Sequence, residues 1–346
     1  MRRLMIGWVF LGWSILTALG QENVKEVTVC FWNVQNFGVT DRFIEGRPQK
    51  AAMKPDSEIK SMVAILGRIK PDILGVCEIL QAPEDEYVKL FIKTLKDAGL
   101  DYPHQATVVG EDKRIQTLFL SRFPFASVEP LNTETFEASQ TDAKTKVVTK
   151  LQLKVGRGIN NVVIQVTPEF RMRTMMVHLK SKRPYPELDQ SNPGEPGDSF
   201  VRRNEALILK NAMNRYLAEK PEEPLLVMGD FNDTIRSRAL QTVLGPKDAS
   251  VRIFDLWLTD YFGDWWTHFY IPDKSYERID YMFVSEPLFR RLVKEKSLVY
   301  RGNQTDPAQF NSYAASDHRA LVAVFNVEPM KDKPTESKLP AQTKKP

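Results

Sequence analysis

Six apolar segments of the chain border polar residues whose types suit metal and phosphate chemistry. These residues are Asn33, Glu78, His178, Asp230 with Asn232, Asp280, and Asp317 with His318. A carboxylate beside a buried strand is costly unless it is paired or binds a metal ion. Oxygen and imidazole groups of this kind can hold a divalent cation, activate a water molecule and contact a phosphoryl group. Hydrolysis of a phosphodiester requires an activated water, charge relief on the phosphoryl oxygens and a protonated or metal-bound leaving group.

Each of these residues taken alone also fits an ordinary structural role. The alternatives are a cap for Glu78, turns at 230–232 and 317–318, a structural histidine at 178, and strand alternation at Asp280. We favour the chemical interpretation because all six sites occur in one chain and in this order. Four dispersed histidines, with no H-x-x-x-H or C-x-x-C spacing, argue against a dedicated zinc site.

The elements that must position these residues are strands and helices of a mixed α/β domain. The apolar runs predict strands at Val27–Trp32, Ile73–Cys77, Ile115–Leu120, Val162–Val166, Met175–Leu179, Leu225–Met228, Ile279–Val284 and Leu321–Phe325. Helical spacing or length predicts helices at Ser57–Lys70, Glu84–Ala98 and Phe200–Glu219. With neither linker nor repeat between 21 and 328, we expect one catalytic-sized domain, with 183–197 as an inserted surface loop.

The order of the motifs resembles the endonuclease/exonuclease/phosphatase superfamily. The motifs are FWNVQNF (31–37), PDILGVCEI (71–79), VHLKSK (177–182), VMGDFND (227–233), RIDYMFVS (278–285) and SDHRALVA (316–323). The resemblance implies a four-layer α/β sandwich of two packed mixed sheets flanked by helices. It also implies a metal-dependent phosphodiesterase. The segment 110–122 departs from the Gly-rich form usual in this family.

The resemblance implies a metal site and an acid–base group. Glu78 is the expected principal metal carboxylate, with Asn33 and Asp317 as further ligands or supports; the expected ion is Mg²⁺, with Mn²⁺ or Ca²⁺ as alternatives. The expected catalytic residues are His178 at the phosphate or leaving group, Asp230 orienting water, Asn232 donating to the phosphoryl oxygen, and the pair Asp280–His318. The base is either Asp230 or His318, a choice that the sequence leaves open.

Basic residues near these motifs are candidates for phosphate binding. We select Lys180, Lys182, Arg203 and Arg319, with Arg183 and Arg202 as further candidates, and solvated surface as the alternative for each. The H-L-K-S-K spacing after a strand resembles that of secreted bacterial nucleases of this superfamily, and this resemblance implies a nucleic-acid substrate, either DNA or RNA. The alternatives are a phospholipid or small phosphoester, or a catalytically idle binding member of the family.

Six residues between 257 and 268 form an aromatic group. They are Trp257, Tyr261, Phe262, Trp265, Trp266 and His268. Such a group can stack on bases or meet lipid, but we favour core or loop packing. His104 has no role that the sequence supports. Cys30 and Cys77 both lie in apolar runs, so we expect buried thiols rather than a bridge.

The two ends of the chain differ in composition from the body. Residues 1–20 have a basic start, an apolar run and small residues at 18 and 20, which predicts a secretory signal peptide. We therefore expect a secreted or periplasmic protein, with a retained membrane anchor as the alternative. Residues 329–346 are rich in Pro and Lys and predict a disordered tail. No protein partner is implied.

The net charge of +4 does not indicate nucleic-acid binding by the folded body. Arg2 and Arg3 contribute +2, and residues 329–346 contribute +3, so residues 21–328 carry a net charge of −1. Attraction of a phosphate must therefore come from a local cluster of basic residues or from a bound cation.

Overall fold

The computed structural model describes residues 24–142, 144–185, 188, 194–246, 252–301 and 315–329. The expected signal peptide, most of the expected tail and part of the expected 183–197 loop lie outside these residues. Within them, no helix is long and apolar enough to cross a membrane.

The strands are β1 (Glu26–Phe37), β2 (Val39–Ile44), β3 (Arg47–Met53), β4 (Ile73–Leu80), β5 (His104–Val108), β6 (Ile115–Ser121), β7 (Phe125–Val128), β8 (Thr135–Thr141), β9 (Val148–Lys154), β10 (Asn160–Gln165), β11 (Arg171–His178), β12 (Leu225–Asp230), β13 (Ile253–Asp255), β14 (His268–Tyr270), β15 (Ser275–Glu277), β16 (Asp280–Ser285), β17 (Leu298–Tyr300) and β18 (Ala320–Asn326). The α-helices are α1 (Asp56–Ile69), α2 (Glu86–Asp97), α3 (Gly197–Glu219), α4 (Arg238–Leu244) and α5 (Glu286–Phe289), and short 3₁₀ turns lie at Pro83–Asp85 and Lys294–Lys296.

Twelve of the strands form two mixed sheets of six strands each. The first sheet has the order β17-β18-β1-β4-β6-β5, and the second has the order β13-β16-β12-β11-β10-β7. β1 and β4 run parallel in the first sheet, as do β11 and β12 in the second, and the other pairs are antiparallel. The expected α/β class and the two mixed sheets are confirmed.

The two sheets pack face to face around a shared apolar core. Phe31 and Phe119 of the first sheet contact the layer formed by Met176 and Met228 of the second. At the centre, Gly75 permits the close approach of the two sheets. Any residue with a Cβ at this position would place that atom 2.4 Å from Met176 Sδ and 2.5 Å from Met228 Cε.

Helices cover the outer faces of both sheets. α1 and α2 pack on the first sheet, where residues such as Leu66 and Phe91 join the cluster of Trp32 and Leu74. α3 and α4 pack on the second sheet, where Leu209 joins the cluster of Val177 and Val227. The result is the helix–sheet–sheet–helix sandwich that the resemblance implies.

All eight predicted strands and all three predicted helices are present. The prediction missed the hairpins β2–β3 and β8–β9, which are largely exposed. It also missed short edge strands such as β7 and β13, which have too few residues to show a period. Cys30 and Cys77 are buried free thiols, as expected.

Candidate active site

Three neighbouring strands of the second sheet bring polar residues to one edge. His178 ends β11, Asp230 ends β12 and Asp280 begins β16. The register pairs His178 with Asp230 and Asp230 with Asp280, so the three side chains lie in one row. All three are buried. Sequence positions about fifty residues apart are therefore adjacent in space.

Asp230 lies at the centre of this row. Its Oδ2 is 3.5 Å from His178 Nε2 and 4.0 Å from His318 Nε2. Its Oδ1 accepts a hydrogen bond of 2.8 Å from the backbone N–H of Asn232. Gly229 permits this placement, because a Cβ there would lie 2.2 Å from the carbonyl oxygen of Val177 on the neighbouring strand.

The loop before β18 supplies His318 to the same site. His318 Nδ1 lies 2.8 Å from Asp280 Oδ2, within hydrogen-bond distance. The backbone holds the ring in place: the Trp32 indole N–H donates to the carbonyl of His318 at 3.0 Å, and the His318 N–H donates to the Ser316 hydroxyl. We call His178, Asp230, Asp280 and His318 the central cluster.

The first sheet contributes Asn33 and Glu78, which meet the central cluster across the core. Asn33 Nδ2 donates to Glu78 Oε1 at 3.2 Å and to Asp230 Oδ2 at 3.0 Å, so it bridges the two sheets. Glu78 has a left-handed backbone with φ of 65°, at the point where the register of β4 shifts. This bulge turns its carboxylate toward the site, where Oε2 accepts from the N–H of Asn36 at 3.0 Å.

The central cluster has strongly perturbed acid–base properties. Burial and the neighbouring Asp280 raise the pKa of Asp230 to about 7. Burial alone would lower the pKa of His318, but the carboxylates of Asp280 and Asp230 raise it well above the usual value. Burial, Arg157 and His318 lower the pKa of His178 well below its usual value. His318 is therefore cationic and His178 neutral around pH 7.

The remaining predicted catalytic residue, Asn232, lies beside the central cluster. It has a left-handed φ of 53°, and its side-chain N–H donates to the carbonyl of Leu179 at 3.0 Å. The structure thus brings together Asn33, Glu78, His178, Asp230, Asn232, Asp280 and His318.

The predicted phosphate-binding residues lie in different surroundings. Lys180 lines a cleft of about 560 Å³ that also touches Glu78, His178 and Asn232. Lys182 is partly exposed, and its Nζ lies 2.8 Å from both carboxylate oxygens of Glu277.

Two of the predicted phosphate-binding arginines have structural partners instead. The Arg203 guanidinium donates to the Glu195 carboxylate at 3.0–3.2 Å, and Arg203 does not line the cleft. Arg319 is buried, its guanidinium carbon lying 3.0 Å from the centroid of the Trp266 ring and its Nη1 3.4 Å from Asp260 Oδ2.

The sequence interpretation missed Arg157, which lines the cleft together with His178 and Lys180. Its Nη1 donates to the carbonyl of Leu179 at 2.8 Å, and its Nε donates to Asp112 Oδ2 at 2.9 Å. Arg114, Lys154 and Arg183 also line this space, which we call the cationic cleft; four acidic residues, Glu78, Glu111, Asp112 and Glu205, line it as well. Its only signal in the sequence is the Gly-Arg-Gly turn at 156–158, which lies outside all six sequence motifs.

The aromatic group divides between core and surface. Trp266 is buried, as expected, but Tyr261 and Phe262 are 72% and 69% exposed, with the guanidinium carbon of Arg301 5.1 Å from the centroid of the Phe262 ring. His268 contacts the site instead: its ring centroid is 4.5 Å from that of His318, and its Nε2 is 3.9 Å from Asp317 Oδ2. His104 lies on β5 against Phe125.

A family model that covers residues 30–318 matches the chain, and its description is the endonuclease/exonuclease/phosphatase family. The chain belongs to this family. Members of the endonuclease/exonuclease/phosphatase family are hydrolases that act on phosphoester bonds, and they generally depend on a divalent metal ion. Residues 30–318 include every residue of the site described above.

Solved structures of this family share the fold at low sequence identity. Truncated TDP2 from Caenorhabditis elegans has a TM-score of 0.51 at 14% identity, covering 87% of this chain and 97% of that one. The human Nocturnin catalytic domain with bound sulfate has a TM-score of 0.52 at 17% identity, covering 88% and 96%. An endonuclease/exonuclease/phosphatase from Beutenbergia cavernae has a TM-score of 0.53 at 15% identity, covering 88% and 72%. No curated protein sequence matches the chain.

The donor set of the endonuclease/exonuclease/phosphatase site fits a divalent cation. Asp317 donates its backbone N–H to Gln35 Oε1 at 3.2 Å, which places it beside the β1 residues. Burial raises the pKa of Asp317, and the charge of Glu78 raises it further, so two carboxylates share one partly buried region. Carboxylate and amide oxygens are the ligands that suit a hard divalent ion.

Proposed function

We propose that the protein is a secreted metal-dependent phosphodiesterase that hydrolyses phosphodiester bonds of DNA or RNA. The observation that carries this proposal is the position of Asp230 between His178, His318 and Asn33. This arrangement places a carboxylate, a neutral imidazole and a cationic imidazole within a few ångströms of one another. Secretion rests on the sequence of residues 1–20, and N-terminal sequencing of exported protein tests it.

In this proposal Asp230 orients the attacking water and accepts its proton. A carboxylate with a pKa of about 7 is half deprotonated at neutral pH and basic enough to take a proton in the transition state. His318 holds its proton at that pH because Asp280 supports its charge, so it stabilises the phosphoryl oxygens as negative charge develops. The sequence leaves the base open between Asp230 and His318, and these acid–base properties favour Asp230.

His178 and Asn232 flank Asp230 and serve the same reaction. Neutral His178 faces Asp230 through Nε2 and lines the cationic cleft, where it can contact the phosphate or the leaving oxygen. The Asn232 side chain is fixed by the carbonyl of Leu179. The same amide nitrogen carries a second N–H, which can donate to a phosphoryl oxygen while the first stays bonded to Leu179.

The residues that would hold the metal ion are Glu78, Asp317 and Asn33, with Mg²⁺ as the proposed ion and Mn²⁺ or Ca²⁺ as alternatives. A divalent cation there would neutralise charge on the phosphoryl oxygens and the leaving group. Asn33 also donates to both Glu78 and Asp230, so it fixes the distance between the metal carboxylate and the proposed base.

The cationic cleft supports a polyanionic substrate. Its five basic residues, Arg114, Lys154, Arg157, Lys180 and Arg183, outnumber its four acidic residues, Glu78, Glu111, Asp112 and Glu205, and the cleft reaches His178. Phosphates on either side of the cleaved bond are the groups that such a surface attracts. Because residues 21–328 have a net charge of −1, this attraction comes from the basic residues of the cleft and not from the net charge of the domain.

A second candidate function is hydrolysis of a phospholipid by the same residues. The exposed side chains of Tyr261 and Phe262 favour it, because exposed aromatic groups can enter a lipid interface.

The test is a substrate panel with purified protein and Mg²⁺, Mn²⁺ or Ca²⁺. The substrates are plasmid DNA, RNA, sphingomyelin and bis-p-nitrophenyl phosphate. We expect DNA or RNA cleavage that His318→Ala abolishes and that His104→Ala, a histidine change outside the central cluster, leaves intact. Lipid hydrolysis without nucleic-acid cleavage would favour the second candidate, and no turnover on any substrate would contradict both.

A further inference from the structure

Backbone hydrogen bonds join the hairpin β14–β15 to the loop before β18, which carries Asp317 and His318. The Phe269 N–H donates to the carbonyl of Asp317 at 3.0 Å, and the Arg319 N–H donates to the carbonyl of Thr267 at 2.7 Å. An isolated antiparallel bridge also pairs His268 with His318. These backbone contacts fix the position of the hairpin relative to the imidazole of His318.

The two faces of this hairpin differ in what they contact. Phe269 and Tyr276 pair across the strands and pack ring to ring, with centroids 4.7 Å apart. His268 and Tyr270 lie on the opposite face, because alternate residues of a strand share a face. Their ring centroids are 6.2 Å apart, and that of His268 is 4.5 Å from that of His318. A row of three rings therefore runs from the catalytic imidazole outward to Tyr270.

Tyr270 presents a flat apolar surface at the outer end of this row. It is 48% exposed, and Ile271 at the tip of the hairpin is 66% exposed. On the same face, Glu277 pairs with His268 across the strands and holds the ammonium group of Lys182. Neither His268 nor Tyr270 lines the cationic cleft, which touches the central cluster through His178.

The site thus has two flanks of different chemistry. On the His178 side lie basic groups that suit phosphates, interspersed with carboxylates, and on the His318 side lie the rings of His268 and Tyr270, with Lys182 beside them. Phosphates bind to basic side chains, whereas bases bind by stacking on aromatic rings. A polynucleotide carries both groups in regular alternation, and a base in a duplex already has neighbours on both of its faces.

We propose that Tyr270 is a stacking platform for the unpaired base of the nucleotide next to the cleaved phosphate, so that single-stranded nucleic acid is the preferred substrate. This inference rests on the proposed nuclease function. A base can reach Tyr270 only after it leaves a duplex, which is costly for a paired base and not for a single strand. Tyr270 is thus a specificity-determining residue that contacts substrate rather than the reacting atoms.

The test compares four proteins on three substrates that share one cleavable phosphodiester. The substrates are a single strand, the same strand with abasic residues on both sides of that bond, and a duplex. The proteins are wild type, Tyr270→Ala, Tyr270→Phe and Tyr276→Ala. Tyr276 is the matched control, because it is 52% exposed on the same hairpin but faces the other way. Melting temperatures confirm that the variants are folded.

We expect wild type to cleave the single strand with a higher kcat/KM than the duplex. Tyr270→Ala should lower kcat/KM on the single strand by about 5- to 100-fold, the usual effect of losing one stacked base. It should leave the abasic strand within about twofold, because no base is present there to lose contact with the ring. Tyr270→Phe, which keeps the ring, and Tyr276→Ala should both resemble wild type.

Three cleavage results would overturn the inference. They are equal cleavage of duplex and single strand by wild type, no effect of Tyr270→Ala on the single strand, and an equal effect on the abasic strand. Loss of binding to phosphatidylcholine–phosphatidylserine vesicles in Tyr270→Ala, with strand cleavage intact, would assign the ring to a membrane and also contradict it. Failure of the proposed function is distinguishable, because wild type would then cleave none of the three strands.

Discussion

His318 Nδ1 lies 2.8 Å from Asp280 Oδ2, and both groups are buried at the edge where the two sheets meet. Burial alone favours a neutral imidazole, so the raised pKa of His318 depends on the carboxylate beside it. The other oxygen of Asp280, Oδ1, has no hydrogen-bond partner within the described residues. Asp280 therefore stabilises the imidazolium form of His318.

Asp280→Asn is expected to lower the pKa of His318 and to reduce kcat by about 100-fold or more at neutral pH. The amide keeps the shape of the carboxylate but no longer supports the imidazolium. NMR titration of the His318 ring measures the pKa, and hydrolysis of the nucleic-acid substrate measures kcat. An unchanged His318 titration in the variant would show that the pair does not control this proton.

Asp230→Asn is expected to abolish activity and to stabilise the metal-free protein at pH 8. Burial and Asp280 raise the pKa of Asp230 from 3.8 to about 7, so the folded state favours the protonated carboxyl. The stability that this group contributes is fully present below pH 3.8 and is lost as the pH rises to about 7. An amide avoids that loss, on the order of a few kcal/mol at pH 8 at ~1.4 kcal/mol per pKa unit.

Chemical denaturation in EDTA at pH 4 and pH 8 measures this effect. The difference between Asp230→Asn and wild type should be larger at pH 8. Asp233→Asn is the contrasting variant on the same loop, because Asp233 Oδ2 accepts from Arg202 Nε at 2.9 Å and its loss removes an ion pair. We expect Asp233→Asn to be destabilised, and a destabilised Asp230→Asn at pH 8 would contradict the account of Asp230.

Arg157→Gln is expected to lower kcat/KM on a polynucleotide by about 10- to 100-fold, because it removes a positive charge from the cationic cleft. Arg203→Gln is the matched control, since Arg203 pairs with Glu195 outside that cleft, and it should stay within about twofold of wild type. Steady-state kinetics at two salt concentrations, with melting temperatures for both variants, make the comparison. A larger effect at Arg203 than at Arg157 would restore the sequence-based assignment.

The contrast between these two arginines shows what the sequence could and could not predict. Strand-end residues such as Asp230 were predictable, because a carboxylate after an apolar run needs a partner or a metal ion and the surrounding motifs fix its context. An arginine gives no such signal, because its role depends on which carboxylate lies opposite it. Each of the two arginines pairs with a carboxylate, Arg203 with Glu195 and Arg157 with Asp112, but only Arg157 lines the cleft, where it also donates to the carbonyl of Leu179.

The fold also contains elements that the sequence predicts and elements that it does not. Strands buried in the core, such as β4 and β12, were predicted because nearly every residue in them is apolar. The hairpin β8–β9 was not, although Phe136 and Ala138 alternate with exposed residues as a half-buried strand requires. For Tyr261 and Phe262 the sequence favours packing because aromatic residues are usually buried, and only the tertiary structure reveals their exposure.

Glu78→Gln is expected to abolish the rise in melting temperature that Mg²⁺ produces in the wild-type protein. A ligand that binds only the folded state stabilises it by about 2.7 kcal/mol at a concentration 100-fold above its Kd. Among the described residues, Glu78 has the only carboxylate that both accepts from Asn33 and faces the cleft, so its neutralisation should weaken binding of the cation.

The control is Glu111→Gln, which changes an exposed carboxylate of the same cleft and should keep the full response. Differential scanning fluorimetry with Mg²⁺, Mn²⁺ and Ca²⁺ needs no turnover, so it separates loss of metal from loss of catalysis. A full Mg²⁺ response in Glu78→Gln would place the ion elsewhere.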